Sequence, residues 1–331
     1  MALATSTSTL AYAATLESVR AAAERIEPHA RLTPVMTCGT LDEMSSRSLF
    51  FKCENFQKGG AFKFRGACNA VMALSEEEAK RGVSTHSSGN HAQAVSLAAR
   101  ARNIPAHIVM PNNAPEVKKA AVAAYGASIT FCDPKAREET SKRVVEETGA
   151  VFIHPSNEPM VISGQGTVAL ELLSQVPNLD ALIVPLGGGG LISGISVAAK
   201  GIKPDIRIFG AEPAGAADAY RSKHIEKRLV GHESDGPDTV ADGLRTTLGS
   251  NTWPVVRDLV ERIILVPDSA IIESMRLVWE RMKLVIEPSA GVGVAVALSK
   301  EFADIKGISR VGVVLCGGNV DLGKKLPWAE Q

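Results

Sequence analysis

Lys63 stands between Phe62 and Phe64, two residues before Arg65 and three after the pair Gly59-Gly60. An ammonium walled by aromatic rings loses its hydration shell, which disfavours the charged form and lowers its pKa. A neutral lysine amine is a nucleophile that forms a Schiff base with a carbonyl. The competing reading is a surface lysine whose stem lies along the rings while its head reaches water.

A second candidate is the stretch Leu182 to Gly194, where an apolar run leads into Gly187, Gly188, Gly189 and Gly190 and then into a helical pattern. Glycines let successive N–H groups converge, and a helix start adds its positive end, so such a loop suits a phosphate. A plain tight turn is one alternative. A dinucleotide fingerprint is another, with Gly188, Gly190 and Ser193 followed about twenty residues on by the acid Glu212. Ser193 breaks the third glycine position, and four glycines offer more amides than a pyrophosphate turn uses. A single phosphate monoester is the preferred reading.

Ser87-Ser88-Gly89-Asn90-His91 closes one strand pattern and opens another helix. Small hydroxyls, a glycine and an amide there suit a carboxylate, with Ser87 or Ser88 as simple N-caps the alternative. His86 and His91 have no acidic neighbour in sequence, so capped or core histidines are expected rather than metal ligands. Glu212 and Asp218, with Ala216 between them, present two carboxylates and backbone carbonyls of the kind that hold a hard cation. Exposed, solvated acids are the competing reading. Glu287 and the run Cys316-Gly317-Gly318-Asn319 add a carboxylate, a thiol and two glycines at further element ends. Ligands of open α/β sheets gather at the carboxyl ends of strands, so pieces this distant in sequence can share one cleft.

These motifs need elements to position them. Strand-like runs over 49–53, 82–86, 106–110, 128–132 and 150–154 alternate with helical runs over 67–74, 92–101, 116–125 and 136–147. A second series has strands over 181–185, 207–211, 263–266 and 310–316, and helices over 169–175, 191–200, 270–282 and 291–299. A helix over 15–26 precedes both series. Near-continuous apolar strands separated by helices predict parallel-rich sheets covered by helices on both faces. Two such series predict an α/β protein of two lobes with a cleft between them.

The chain has 331 residues, 45% hydrophobic and 22% charged, a globular profile long enough for a substantial core. Its 36 basic and 36 acidic residues balance, which argues against nucleic acid and anionic membranes as partners. Five scattered cysteines with no C-x-x-C pair fit reduced thiols in the cytoplasm and exclude a cysteine zinc site. No apolar run approaches the roughly 18 residues of a spanning helix. The stretch from Met1 to Thr9 reads as a short disordered lead-in.

Taken together, the Lys63 motif, Ser87 to His91, the four-glycine loop and the Cys316 turn occur in the order and context of the fold-type II pyridoxal-phosphate (PLP) enzymes, the tryptophan-synthase β-like family. The chain resembles that family from Leu32 to Leu322. Asn251-Thr252-Trp253-Pro254, the run from Trp279 to Leu284 and the run from Glu287 to Val294 resemble its serine racemase branch, with the catabolic serine/threonine dehydratases next.

The resemblance implies a discontinuous large lobe, residues 1–77 and 156–331, and a small lobe, 78–155. It implies that Lys63 carries pyridoxal 5'-phosphate, that Gly187, Gly188, Gly189 and Gly190 hold its phosphate, that Phe62 packs on the ring and that Asn90 meets the 3-oxygen. Cys316 would meet the ring nitrogen. Ser87, Ser88, Gly89, Asn90 and His91 would bind the substrate, with Ser88 facing its α-carbon opposite Lys63. Glu212, the Ala216 carbonyl and Asp218 match a divalent cation site for Mg²⁺ or Ca²⁺. Asn319, Lys283 and Tyr125 match a nucleotide site at a dimer interface, which implies a homodimer with ATP as effector. Animal members carry Asn where this chain has Ser156, and that difference bears on substrate preference. The expected activity is interconversion of L- and D-serine with a serine dehydratase side reaction. A dehydratase with little racemisation, or a non-catalytic phosphate-binding α/β protein, are the alternatives.

Overall fold

Every residue from Ala181 to Pro185 is buried, as are all but the first of Arg310–Leu315. A strand can be apolar on both faces only when both faces are covered. The computed structural model describes residues 12–114, 116–234, 236–323 and 325–330, and the lead-in expected over 1–9 lies outside the described residues.

The strands are β1 (Val35–Met36), β2 (Ser48–Cys53), β3 (Val83–His86), β4 (Ala106–Pro111), β5 (Ser128–Cys132), β6 (Val151–Phe152), β7 (Ala181–Pro185), β8 (Arg207–Pro213), β9 (Arg262–Val266) and β10 (Arg310–Leu315). One sheet has the order β1-β2-β10-β7-β8-β9 and the other β5-β4-β3-β6. All neighbours pair in parallel except β1 against β2. In the larger sheet Val313 of β10 lies between Phe51 of β2 and Ile183 of β7. The chain is thus a two-sheet α/β protein, as the alternation of apolar runs predicts.

The helix Lys63–Met72 links the two sheets. Its residues Phe64, Ala67, Cys68 and Val71 belong to the core that also holds Val95, Ile108, Met110 and Ile153 of the four-stranded side. Its first turn is pinned by buried charge. Arg65 donates through Nε to Glu54 Oε2 at 2.7 Å and through Nη1 to Glu171 Oε1 at 2.6 Å. Lys52 Nζ donates to Glu171 Oε2 at 2.6 Å and to the Thr33 carbonyl at 2.8 Å. Arg65, Lys52 and Glu54 are fully buried. Removing one member of such a set leaves an uncompensated charge, at about 3–5 kcal/mol.

The helices Gly39–Ser45, Glu76–Arg81 and Trp253–Leu259 carry no sequence expectation, and three further elements differ from it. The two-residue strand β1 has too little pattern to read. The helix expected over 169–175 spans Pro159–Gln175, and its missed half contains Gly164 and Gly166. Glycines lower helix propensity, yet here they permit contact: a Cβ on Gly164 would lie 2.6 Å from the Arg65 carbonyl oxygen. The helix expected over 270–282 ends at Leu277 and continues as a π turn, Val278–Met282.

Candidate active site

Lys63 is placed by the turn that follows β10. The Phe62 N–H donates to the Cys316 carbonyl at 3.0 Å, and the Gly318 N–H donates to the Gly60 carbonyl at 2.9 Å. Ala61 and Gly317 form a β-bridge between these bonds. The lysine keeps some exposed surface, but its amine turns inward. Nζ donates to the Pro155 carbonyl at 2.7 Å and lies 5.1 Å from the centre of the Phe62 ring. Burial lowers its pKa to about 8, against the opposing pull of Cys316 and Glu287. A snorkelling lysine would have its head in water, so this arrangement favours the nucleophile.

The carboxyl end of β3 carries the second motif. The helix begins at Asn90 (Asn90–Arg102), and its N-cap is Gly89, without a side-chain cap bond. Neither serine is therefore the helix N-cap. The Ser87 hydroxyl accepts the Gly89 N–H at 3.2 Å, and Ser88 is half-buried in the same turn. Asn90 is held on both sides of its amide: Nδ2 donates to Glu287 Oε1 at 2.8 Å and Oδ1 accepts from Asn319 Nδ2 at 2.9 Å. Asn319 also donates to the Gly59 carbonyl at 2.7 Å and, through its backbone N–H, to Glu287 Oε2 at 3.1 Å.

His91 is buried, with Nε2 3.0 Å from the Ile153 carbonyl, so Nε2 carries the proton. Its Nδ1 is buried without a hydrogen-bond partner. Desolvation, helped by the nearby Lys63, lowers the His91 pKa to about 3. His154 is pushed to about 4, chiefly by burial, and its Nδ1 accepts the Ser156 and Asn157 N–H groups at 3.1 and 2.8 Å. Both rings are neutral at ordinary pH, and these hydrogen bonds all go to backbone groups rather than to acids.

The third piece is the loop after β7. The helix there spans Gly190–Ile202, so its first amides have no intrahelical partner. Gly189 has φ +81°, and a Cβ on Gly188 would lie 2.5 Å from Ser156 Oγ. The Gly188 N–H donates to Thr246 Oγ1 at 3.0 Å, and Thr252 Oγ1 donates to the Gly188 carbonyl at 3.0 Å. Thr246 and Thr252 escaped the sequence reading as loop supports. The motif containing Thr252 was visible, but nothing local showed that it folds back on the glycines.

A family model described as pyridoxal-phosphate dependent enzyme matches residues 26–317. The chain belongs to the pyridoxal-phosphate-dependent enzymes. A serine racemase of Oryza sativa subsp. indica is 52% identical over 317 residues, 94% of this chain and 93% of that protein. The solved structure of maize serine racemase superposes with a TM-score of 0.92 at 53% identity, covering 94% of this chain and 95% of that one. A threonine deaminase from T.th. superposes with a TM-score of 0.88 at 39% identity, covering 93% of this chain and 99% of that one.

The residues present fit this cofactor. A buried amine of lowered pKa, a glycine cradle that Cβ atoms would fill and a helix start lie at strand carboxyl ends, joined through Pro155 and Ser156. Cys316 is buried beside them, and burial raises its thiol pKa well above the usual range, so it is a neutral group.

The Glu212 and Asp218 side chains are buried, which removes the solvated-acid reading. Glu212 accepts the Ala219 and Tyr220 N–H groups at 2.9 and 2.8 Å. Asp218 Oδ2 accepts the Leu248 N–H at 3.0 Å, while Oδ1 is buried without a hydrogen-bond partner. Burial, reinforced by Asp218, raises the Glu212 pKa well above the carboxylate range. An orphaned carboxylate oxygen beside a second buried acid fits a cation, although among the described residues no group of three or more His, Cys, Asp or Glu side chains is arranged to hold one.

Proposed function

We propose that this enzyme interconverts L- and D-serine and also eliminates water from serine, giving pyruvate and ammonia. The observation that carries this is the Lys63 amine, buried at the meeting point of the glycine loop and the Asn90 turn, with its pKa lowered to about 8. A general base tuned near the working pH is the group that α-proton transfer needs.

When bound, pyridoxal phosphate supplies an electron sink for negative charge at the substrate α-carbon. Gly187 to Gly190 and the helix start at Gly190 would hold its phosphate, Phe62 would pack on its ring and Asn90 would meet its 3-oxygen. Cys316, neutral and buried, would meet the ring nitrogen without the full protonation that a carboxylate there would bring, which would keep the sink mild. The amides and hydroxyls from Ser87 to His91 take the substrate carboxylate. Lys63 removes the α-proton on one face, and Ser88 delivers one on the other. If the β-hydroxyl instead takes up a proton and leaves as water, the 2-aminoacrylate released is hydrolysed by a second water to pyruvate and ammonia.

A dehydratase with little racemisation is the second reading, favoured by the 39% identity to a threonine deaminase. A non-catalytic phosphate-binding protein would have no use for the buried lysine. Chiral analysis of products from L-serine, with pyruvate counted in the same tube, tests the proposal. D-serine must appear; pyruvate alone would establish the dehydratase.

The same reading extends to the surroundings. Glu212, the Ala216 carbonyl and Asp218 hold a divalent cation, and the Leu248 backbone, bonded to Asp218, ties that site to Gly189, whose Cβ position is 2.6 Å from the Leu248 side chain. The lobes divide as 78–155 and the remainder. Leu32, Met36 and Phe56 are exposed, at 72%, 40% and 43%, near the β1 edge, where a second copy would cover them in a homodimer. Asn319 sits in the active-site network, Lys283 is exposed and Tyr125 lies beside a separate hollow with Arg100 and Asn103. ATP as an effector would join such positions across two subunits. All five cysteines are free, which suits a cytoplasmic enzyme, and no helix among the described residues is long and apolar enough to cross a membrane.

A further inference from the structure

The loop after the Arg221–Glu226 π turn brings His232 against Asp218. Its Nε2 lies 3.0 Å from the Arg245 carbonyl oxygen, which accepts a proton but cannot supply one, so in the neutral ring Nε2 carries the hydrogen. Nδ1 is then a bare lone pair. It faces Asp218 Oδ1 at 3.6 Å, and that oxygen is the buried one without a hydrogen-bond partner. Asp218 is 1% exposed. Two acceptor atoms facing each other in a buried place repel unless something positive lies between them.

The spacing supports such an occupant. Ligand atoms about 2.1–2.3 Å from one ion and roughly 90–110° apart are about 3.0–3.8 Å from each other, a range that includes the observed separation. The neighbouring Glu212 uses one lone pair of each oxygen on Ala219 and Tyr220, and a carboxylate oxygen retains another. A ring nitrogen changes which ion such a place prefers. Ca²⁺ and Mg²⁺ take oxygen, whereas first-row transition cations bind an imidazole more tightly, Mn²⁺ the least of them and Fe²⁺, Ni²⁺ and Zn²⁺ more so.

We propose that His232 Nδ1 is a ligand of the cation held by Asp218, so that the site prefers a transition cation such as Mn²⁺ to Ca²⁺. The proposal rests on the cation-site reading given above. The enzyme, cofactor-loaded and stripped of cations with a chelator, is titrated with Mn²⁺ and with Ca²⁺ while its melting temperature is followed. Mn²⁺ should bind at least about tenfold more tightly than Ca²⁺, and His232→Ala should weaken Mn²⁺ about 10- to 100-fold while changing Ca²⁺ little. His232→Asn, which offers an oxygen in place of Nδ1, should keep Ca²⁺ and lose the Mn²⁺ preference. Electron spin-echo modulation of the Mn²⁺-loaded protein should show ¹⁴N coupling that both variants lack. If cations bind wild type and His232→Ala alike, with no nitrogen coupling, the site is oxygen-only and this proposal fails while the cation reading survives. If His232→Ala lowers the melting temperature equally with and without Mn²⁺, the histidine is an ion-pair partner of Asp218, and the proposal fails again. If no cation moves the melting curve of wild type, both readings fall.

Discussion

Lys63 Nζ donates to the carbonyl oxygen of Pro155 across 2.7 Å, and the next residue, Ser156, packs its side chain against Gly188 and Gly190. Two consecutive residues therefore join the amine to the glycine loop. The segment also carries the chain back from β6 into the helix Pro159–Gln175, so the two proposed cofactor anchors share one connection. This contact gives the lysine motif and the glycine loop one geometry, although more than a hundred residues separate them.

Borohydride treatment of the cofactor-loaded enzyme should leave the cofactor covalently on the peptide containing Lys63. Peptide mass mapping checks this, and attachment at any other lysine defeats the assignment. Lys63→Ala should abolish both racemisation and elimination, because the α-proton then has no base on that face.

Capture of pyridoxal phosphate by the cofactor-free protein should depend on pH through the same amine. Only the neutral form attacks a carbonyl. With a pKa near 8, the second-order rate should rise about tenfold per unit below that value and level off above it. An ordinary lysine would keep rising toward its usual pKa near 10.4. Stopped-flow absorbance across pH 6 to 10 (approximate range, bracketing both values) separates the two profiles.

Most of the fold could be read in advance because the buried strands carry uninterrupted apolar runs, as in Ala181–Pro185. The site was harder. Gly187 to Gly190 announce themselves by composition, and Lys63 by its aromatic neighbours. Glu287 was visible only as a carboxylate at an element end; its bond to Asn90 spans 197 positions in sequence and has no local signature. Thr246 and Ser156 likewise act through packing on the glycines, which no periodicity encodes. The quartet of Lys52, Glu54 and Arg65, all buried, with the partly buried Glu171 also escaped notice, because charged residues in sequence read as surface until their partners are known.

That quartet gives a stability prediction. Arg65→Met leaves the buried Glu54 without its cation, while Glu171 keeps Lys52, and should destabilise the fold by about 3–5 kcal/mol. Adding Glu54→Gln should recover part of the loss, since the stranded charge is then gone. Chemical denaturation of the single and double variants measures both steps. A loss under about 1 kcal/mol for Arg65→Met would mean that water reaches the site and screens it.

Crowding at the phosphate loop is testable in the same way. A Cβ at Gly188 would meet Ser156 Oγ at 2.5 Å, so Gly188→Ala forces the loop away from Pro155 and the amine. Overpacking of this kind costs about 1–3 kcal/mol, which should weaken cofactor retention by roughly five- to a hundredfold. Ser156→Gly removes the clashing hydroxyl, and the double variant should regain much of the affinity. Simple additivity of the two changes would show that the residues do not touch.

Ser88 decides between racemase and dehydratase. A racemase needs an acid–base group on each face of the planar α-carbon, and on the proposed reading Lys63 serves one of them. Ser88 lies in the turn between β3 and the helix Asn90–Arg102, and Gly89, not Ser88, takes the N-cap position, so the cap does not claim its hydroxyl. The nearby helix start favours negative charge and eases loss of its proton. Removing a positioned acid–base group costs about 10²–10⁴ in rate, equivalent to about 3–5 kcal/mol. Ser88→Ala should therefore lose racemisation in both directions and elimination from D-serine. Elimination from L-serine should survive in part, since that route uses Lys63 and a proton donor for the leaving hydroxyl. Steady-state assays with each enantiomer resolve the split. D-serine formation near the wild-type rate would leave Ser88 as a turn residue and move the second base elsewhere.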